Sequence, residues 1–241
     1  YTPLLEEALK QKYLGFFGWK FRPTFPDKNL SHSERIKNPP PFNLKKLIKF
    51  AEKLRLSVGN SFELMLDCGS RCQDLKEARY LIEALKELNF YFIEEPLPRK
   101  NYLYKSLMSR IINITIASGE NISSFKEFLK WKKNKVSIFQ PDSNLITYEE
   151  LKKIENHWKK RIVVHNWCNS INHYSNINYI FSSKRNILIE KNILQNPYSK
   201  FFKINSFVEK QGMIFKSENN KFGIKFIYPK SKLYELNEIK I

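Results

Sequence analysis

The stretch YFIEEPLP, residues 91–98, decides how this chain is read. Tyr91-Phe92-Ile93 has the composition of a buried strand, yet it ends on two adjacent carboxylates and then a proline. Acid at the tip of a buried strand is costly unless something pairs with it. The question is what lies beyond that strand end, and whether other strands end the same way.

They do. FELML (62–66) closes on Asp67, ITIA (114–117) runs into Glu120 of SGEN, and VSIF (136–139) runs into Asp142 of QPD. IVV (162–164) closes on His165 and NILI (186–189) on Glu190. In and just after the early run GFFGWKF (15–21), Lys20 and Arg22 alternate with Trp19 and Phe21, so strand periodicity puts both basic groups on one face. Between these runs stand stretches with helical spacing. NLKKLIKFAEKLRL (43–56) carries Leu44, Leu47, Ile48, Ala51 and Leu54 on one stripe. DLKEARYLIEALKEL (74–88), a short segment near 101–110, SFKEFLKWKK (124–133) and TYEELKKIENHWKK (147–160) follow, with a weaker helical segment over 169–182.

Short apolar strands alternating with helices predict an α/β fold with a parallel sheet covered by helices. Seven strands spaced about 25 residues apart favour a (β/α)8 TIM-type barrel. The doubly wound alternative lacks its Gly-rich dinucleotide fingerprint. The expected barrel occupies residues 1–199 as strands two to eight, with the first strand expected upstream of Tyr1. The segment 200–241 breaks the rhythm and reads as a tail of short strands and turns. The opening YTPLLEEALK has neither Met nor a signal-peptide pattern, so further sequence is expected before it.

Composition narrows the class. With 241 residues and 42% hydrophobic content the chain can build a core, and no apolar run is long enough to span a bilayer. Cys68, Cys72 and Cys168 are too few for a disulfide framework and lack zinc-type spacing, which points to a reducing, cytoplasmic setting. The formal charge of +18 would suit a nucleic-acid binder, but the excess is spread along the chain. Its densest runs, KWKKNK (130–135) and HWKKR (157–161), fall where helices should end, and cations there oppose the helix dipole without any ligand.

Asp67, Glu94 and Glu120 are 27 and 26 residues apart. On neighbouring strands of a barrel they converge, and converging carboxylates repel unless a cation sits among them. Hard oxygen donors with room for water suit Mg2+. Each residue also has a plainer reading. A lone strand-end acid is often a helix cap or loop salt bridge, Asp142 could cap the approach to helix 147–160, His165 could be a core histidine, and Lys20 a rim charge.

Taken together, KFR, LMLDCGSR, YFIEEPLP, ITIASGEN, FQPD, VVHNW and LIE resemble the enolase superfamily, in its mandelate racemase-like branch that includes acid-sugar dehydratases. The resemblance spans nearly the whole chain. It implies Mg2+ on Asp67, Glu94 and Glu120, with the first Glu of EEP preferred over Glu95. It implies Lys20 against the substrate carboxylate, Asp142 fixing the tautomer of His165 as acid or base, and Glu190 hydrogen-bonded to the intermediate. Asn121, Asn166 and Trp167 become substrate neighbours. The implied substrate is a small carboxylate, an acid sugar, handled by a homo-oligomer with no membrane or nucleic-acid partner.

Departures refine the expectation. Racemases of that branch carry Lys-x-Lys on the second strand, whereas position 22 is Arg, which keeps its proton and makes a poor base. One-base dehydration through His165 is therefore preferred to two-base racemisation, with Arg22 binding substrate. Gly69 stands where the branch usually has Asn. The N-terminal capping domain of the family is not represented, and 200–241 resembles the segment that returns to it. Epimerase or cycloisomerase chemistry on the same site, or a basic binding protein without catalysis, are the competing readings.

Overall fold

The computed structural model describes residues 2–23, 43–97, 115–134, 136–167, 170–192, 202–204, 206–217 and 224–226. The expected NPPP loop (38–41), the short helix near 101–110, Pro98, Ile114, Cys168 and much of the tail lie outside the described residues.

The expected alternation is present. Helix α1 (Thr2–Tyr13), which the spacing argument did not anticipate, leads into β1 (Gly18–Phe21). There follow α2 (Leu44–Val58), β2 (Glu63–Asp67), α3 (Leu75–Lys86), β3 (Phe90–Glu94), β4 (Ile116–Ser118), α4 (Phe125–Trp131), β5 (Ile138–Phe139), α5 (Tyr148–His157), β6 (Arg161–Val164), α6 (Ser170–Ser182) and β7 (Leu188–Ile189). The seven strands form one sheet in chain order, and every pairing is parallel. This is an incomplete (β/α) barrel. In the tail, β9 (Phe207–Lys210) and β10 (Met213–Lys216) make an antiparallel hairpin, and β8 (Phe202–Ile204) pairs with β11 (Ile224–Phe226).

Local chemistry explains the helix starts. Asn43, Asp74, Ser124 and Thr147 each cap a helix by accepting from the backbone N–H three residues on. At both Asp74 and Ser124 a glutamate in the first turn also reaches back past the cap, Glu77 accepting from the Gln73 amide and Glu127 from the Ser123 amide. The predicted α5 overran at its C-terminus: the helix ends at His157, and Trp158 turns inward to join Phe128, Trp131 and Phe139 in an aromatic cluster. Burial then holds the layers together. Leu47, Phe50, Ala51 and Leu54 of α2 and Leu81, Ile82 and Leu85 of α3 pack against Leu64, Leu66 and Ile93 of the sheet. A second cluster, with Phe128, Leu151, Ile154 and Tyr179, covers β5 to β7.

The hairpin tip reaches the turn before β1. A Cβ on Gly212, where φ is +69°, would stand 2.4 Å from the Gly15 carbonyl oxygen, so only glycine fits. Among the described residues no helix is long and apolar enough to cross a membrane.

Candidate active site

Parallel pairing brings all the strand ends to one end of the sheet. The register puts Asp67 beside Glu94, and Glu94 beside Ala117. Gly119, at φ +118°, lets the chain turn past β4 with Phe139 packed where a Cβ would be, and Glu120 follows it.

Lys20 stands at the centre. Its Nζ lies 2.5 Å from Glu94 Oε2 and also pairs with Glu190 Oε1. Burial pulls the ammonium down, but Glu190, Glu94 and Asp67 outweigh it and hold the pKa above the ordinary lysine value. Gln140, the first residue of QPD and fully buried, donates from Nε2 to Glu94 Oε2 at 2.9 Å. Its Oε1 finds no hydrogen-bond partner among the described residues. Arg22 grips Asp67 Oδ2 through Nη2 at 2.5 Å and Nε at 2.7 Å, while the Gly69 amide donates to Asp67 Oδ1 at 2.8 Å. The Gly at 69 thus meets Asp67 through its backbone.

The second group is a dyad. His165 Nδ1 lies 2.7 Å from Asp142 Oδ2, and its Nε2 lies 3.4 Å from Glu120 Oε2. Burial raises the Asp142 carboxyl, but donation from His165, the Asn144 amide and Asn172 outweighs that and holds it low. An ionised Asp142 keeps the proton on Nδ1, which leaves Nε2 to exchange protons. Burial lowers the His165 pKa, yet Asp142, Glu190 and Glu120 together raise it.

The two glutamates of IEEP part company. Glu94 is 1% exposed and faces Lys20. Glu95 takes left-handed backbone, φ 39°, and meets the Ser70 and Ser118 hydroxyls instead. Asn121 lies beside Glu120, at 3.4 Å. Asn166 donates from Nδ2 to the Glu190 carbonyl at 3.0 Å, and Trp167 is 62% exposed at the rim.

The acids expected to hold Mg2+ do not stand as a ready cage: among the described residues no three His, Cys, Asp or Glu side chains are grouped around one point. Each expected ligand is engaged from within instead, Asp67 by Arg22, Glu94 by Lys20 and Gln140, and Glu120 by His165 and Asn121. The donor chemistry nevertheless fits a divalent ion. Glu94 is pushed up to about 8, first by burial and then, against the pull of Lys20, by Asp67 and Glu190. Four carboxylates, Asp67, Glu94, Glu120 and Glu190, stand against the two permanent cations Lys20 and Arg22, and a hard cation would relieve that crowding.

Several participants were not legible as site residues in the sequence: Gln140, Ser143, Asn172, His173 and Asn176. Asn172 and Asn176 lie one helical turn apart on α6 and are 3% and 0% exposed. Their spacing was the available signal, but inward-facing amides make a helix read as weak.

This geometry belongs to a protein class. Residues 4–217 match the family model described as enolase C-terminal domain-like, and the chain belongs to that family. Its sequence is 29% identical over 151 residues to the D-gluconate/D-galactonate dehydratase of Picrophilus torridus, covering 62% of this chain and 36% of that protein. Among solved structures it is similar to a racemase from Streptomyces coelicolor A3(2) with bound magnesium, at TM-score 0.69 and 20% identity, covering 88% of this chain and 53% of that one. It is also similar to the 3,6-anhydro-D-galactonate cycloisomerase of Zobellia galactanivorans, at TM-score 0.73 and 22% identity, covering 88% and 56%. The chain thus spans about a third of that dehydratase and little more than half of those two structures.

Proposed function

We propose that the protein carrying this chain abstracts the proton alpha to a carboxylate and dehydrates an acid sugar, an aldonate or aldarate, to a 2-keto-3-deoxy acid. The observation that carries the reading is the Asp142–His165 pair beside the Lys20–Glu94–Glu190 cluster at one end of the sheet. The dehydratase among the relatives supports the substrate class.

The alpha proton of a carboxylate is barely acidic, since its removal concentrates two negative charges on one group. Lys20 orients the substrate carboxylate and offsets that charge where it develops. Asp67, Glu94 and Glu120 are the residues that would hold Mg2+, which when bound supplies a fixed positive charge for the same purpose. His165 Nε2 takes the alpha proton while Asp142 steadies the imidazolium. The bond from the beta carbon to its hydroxyl oxygen then breaks, the proton on His165 leaves with that oxygen as water, and the enol tautomerises to the keto acid. Arg22, permanently charged, binds substrate and takes no proton. Glu190 meets the carboxylate oxygens, with Asn121, Asn166 and Trp167 at the rim.

The test is incubation of the full-length protein with Mg2+ and a panel of aldonic and aldaric acids, following 2-keto-3-deoxy acid formation. Substituting His165→Asn should slow turnover by roughly 10^2- to 10^4-fold, the range for a general acid–base. Full activity in that variant would falsify the assignment. The Streptomyces racemase and the cycloisomerase among the relatives favour a second reading, and exchange of the alpha hydrogen with deuterated solvent without loss of water would select it.

A further inference from the structure

Helix α6 carries two amides where an amphipathic helix covering a sheet should carry Leu or Ile. Burying an amide costs free energy unless its hydrogen bonds are made, and here they are. Asn172 Nδ2 donates to Asp142 Oδ1 at 3.1 Å, and its Oδ1 accepts from the Ser143 hydroxyl at 2.7 Å. Asn176 Nδ2 donates to the His165 carbonyl at 3.1 Å and to Asn166 Oδ1 at 3.2 Å, and its Oδ1 accepts from the Ser143 amide at 3.2 Å. Two neighbouring side chains on one helix therefore hold the loop after β5 and the loop after β6 in a single frame.

The consequence for the dyad is geometric. Asn172 and the Asn144 amide both occupy Asp142 Oδ1, which leaves Oδ2 to His165 and fixes the carboxylate plane. Asn176 fixes the backbone from which the imidazole hangs, and it also holds Asn166, which donates to the Glu190 carbonyl. Ring direction follows from those two restraints, and a misplacement of about 1 Å in a catalytic group can cost roughly 10^2-fold.

We infer that Asn172 and Asn176 are positioning residues of α6 that aim the His165 imidazole at the substrate carbon. This inference rests on the proposed reaction for its kinetic readout, but not for its spectroscopic one.

The test uses the full-length protein as Asn172→Leu, which keeps the shape and removes the donor, and Asn172→Ala, which relieves crowding should Leu fail to fold. Ser175→Ala, on the exposed face of α6, is the control. With D-gluconate and Mg2+ as probes, kcat should fall roughly 10- to 100-fold, the range for outer partners of a functional group. KM and the Mg2+ dissociation constant should stay within about twofold, because the hydrogen bonds of Asn172 described above go to Asp142 and Ser143 and not to Asp67, Glu94 or Glu120. In proton NMR of protein labelled with 15N-histidine, the hydrogen-bonded Nδ1–H of His165 should give a downfield signal that broadens or vanishes in Asn172→Leu and Asn172→Ala and persists in Ser175→Ala. An unchanged His165 signal in both Asn172 variants, or equal losses in kcat and KM, overturns the inference. Should the unaltered protein leave D-gluconate and the other acids untouched, the dehydratase reading fails alone, and the His165 signal still decides whether α6 positions the ring.

Discussion

The two ends of the barrel use cations in opposite ways. Where strands begin, positive side chains meet backbone carbonyls. Arg55 donates to the carbonyls of Gly59, Phe62, Leu88 and Asn89, tying the loops before β2 and β3 together. Lys12 reaches the Val58 carbonyl, Lys132 that of His157, Lys160 that of Val136 and Arg185 that of Trp158. Where strands end, Lys20 and Arg22 meet carboxylates, and only Arg71 among the cations named at that end donates to carbonyls, those of Cys68 and Pro23. Carbonyl oxygens at helix termini and loops are fixed partial charges, so a cation there completes the scaffold and is finished. Carboxylates carry full charges that titrate and exchange partners, so a cation among them sits in a balance that a substrate or metal can tip. The basic residues named here thus complete the scaffold where strands begin and are balanced by carboxylates where they end.

The sharpest way to break this division is to remove one buried cation from each end. Arg55→Met orphans four carbonyls and should lower stability by about 2–4 kcal/mol, read as a fall in thermal midpoint, with turnover per folded molecule unchanged. Lys20→Met should do the reverse, abolishing turnover while a folded melting transition remains. Loss of turnover at unchanged stability in Arg55→Met would erase the distinction.

Acid should sharpen it next. His173 is neutral, its Nδ1 accepting from Asn166 and its Nε2 donating to Glu209 Oε1 at 2.9 Å. Burial, then Lys191, pushes its pKa down to about 4. Glu209, which faces the ring, also pairs with Lys191, whose positive charge offsets the pull of that carboxylate on the imidazole proton. Unfolded histidine takes its proton near pH 6.5, so the folded state binds fewer protons between 6.5 and 4. The His173 contribution is therefore intact above 6.5 and lost as pH falls towards 4, roughly 1–3 kcal/mol in all. Urea midpoints across that window should drop, and the drop should flatten in His173→Phe. A slope unaffected by the substitution would assign the loss to other groups.

The smallest effect is expected at the scaffold end, from Lys132→Met. An exposed cation on a helix C-terminus contributes about 0.3–1 kcal/mol, and raised salt should mask the difference. A larger loss would mean that this lysine does more than cap α5.

The strand–helix rhythm was legible because alternation and helical stripes are written in consecutive residues. Strands as short as β5 and β7, two residues each, still showed through their apolar neighbours. Helix α1 did not, because few of its side chains are buried and its stripe is faint. Lys20, Asp67, Glu94, Asp142, His165 and Glu190 could be singled out because each ends or flanks a strand, and a barrel gathers those positions at one end. Pairing among them was out of reach. That Arg22 takes Asp67 and Lys20 takes Glu94 depends on side-chain reach across strands, which spacing does not encode. Asn172 and Asn176 escaped for a different reason: polarity facing inward weakens the pattern by which helices are recognised.

Lys20 and Glu190 are 170 residues apart in the chain, against 74 for Lys20 and Glu94. At about 5–20 residues per second on a ribosome, Glu190 is made on the order of 10–30 seconds after Lys20. Until then a nascent barrel can pair Lys20 with Glu94 but not with Glu190, so this cluster is complete only after β7 has been made.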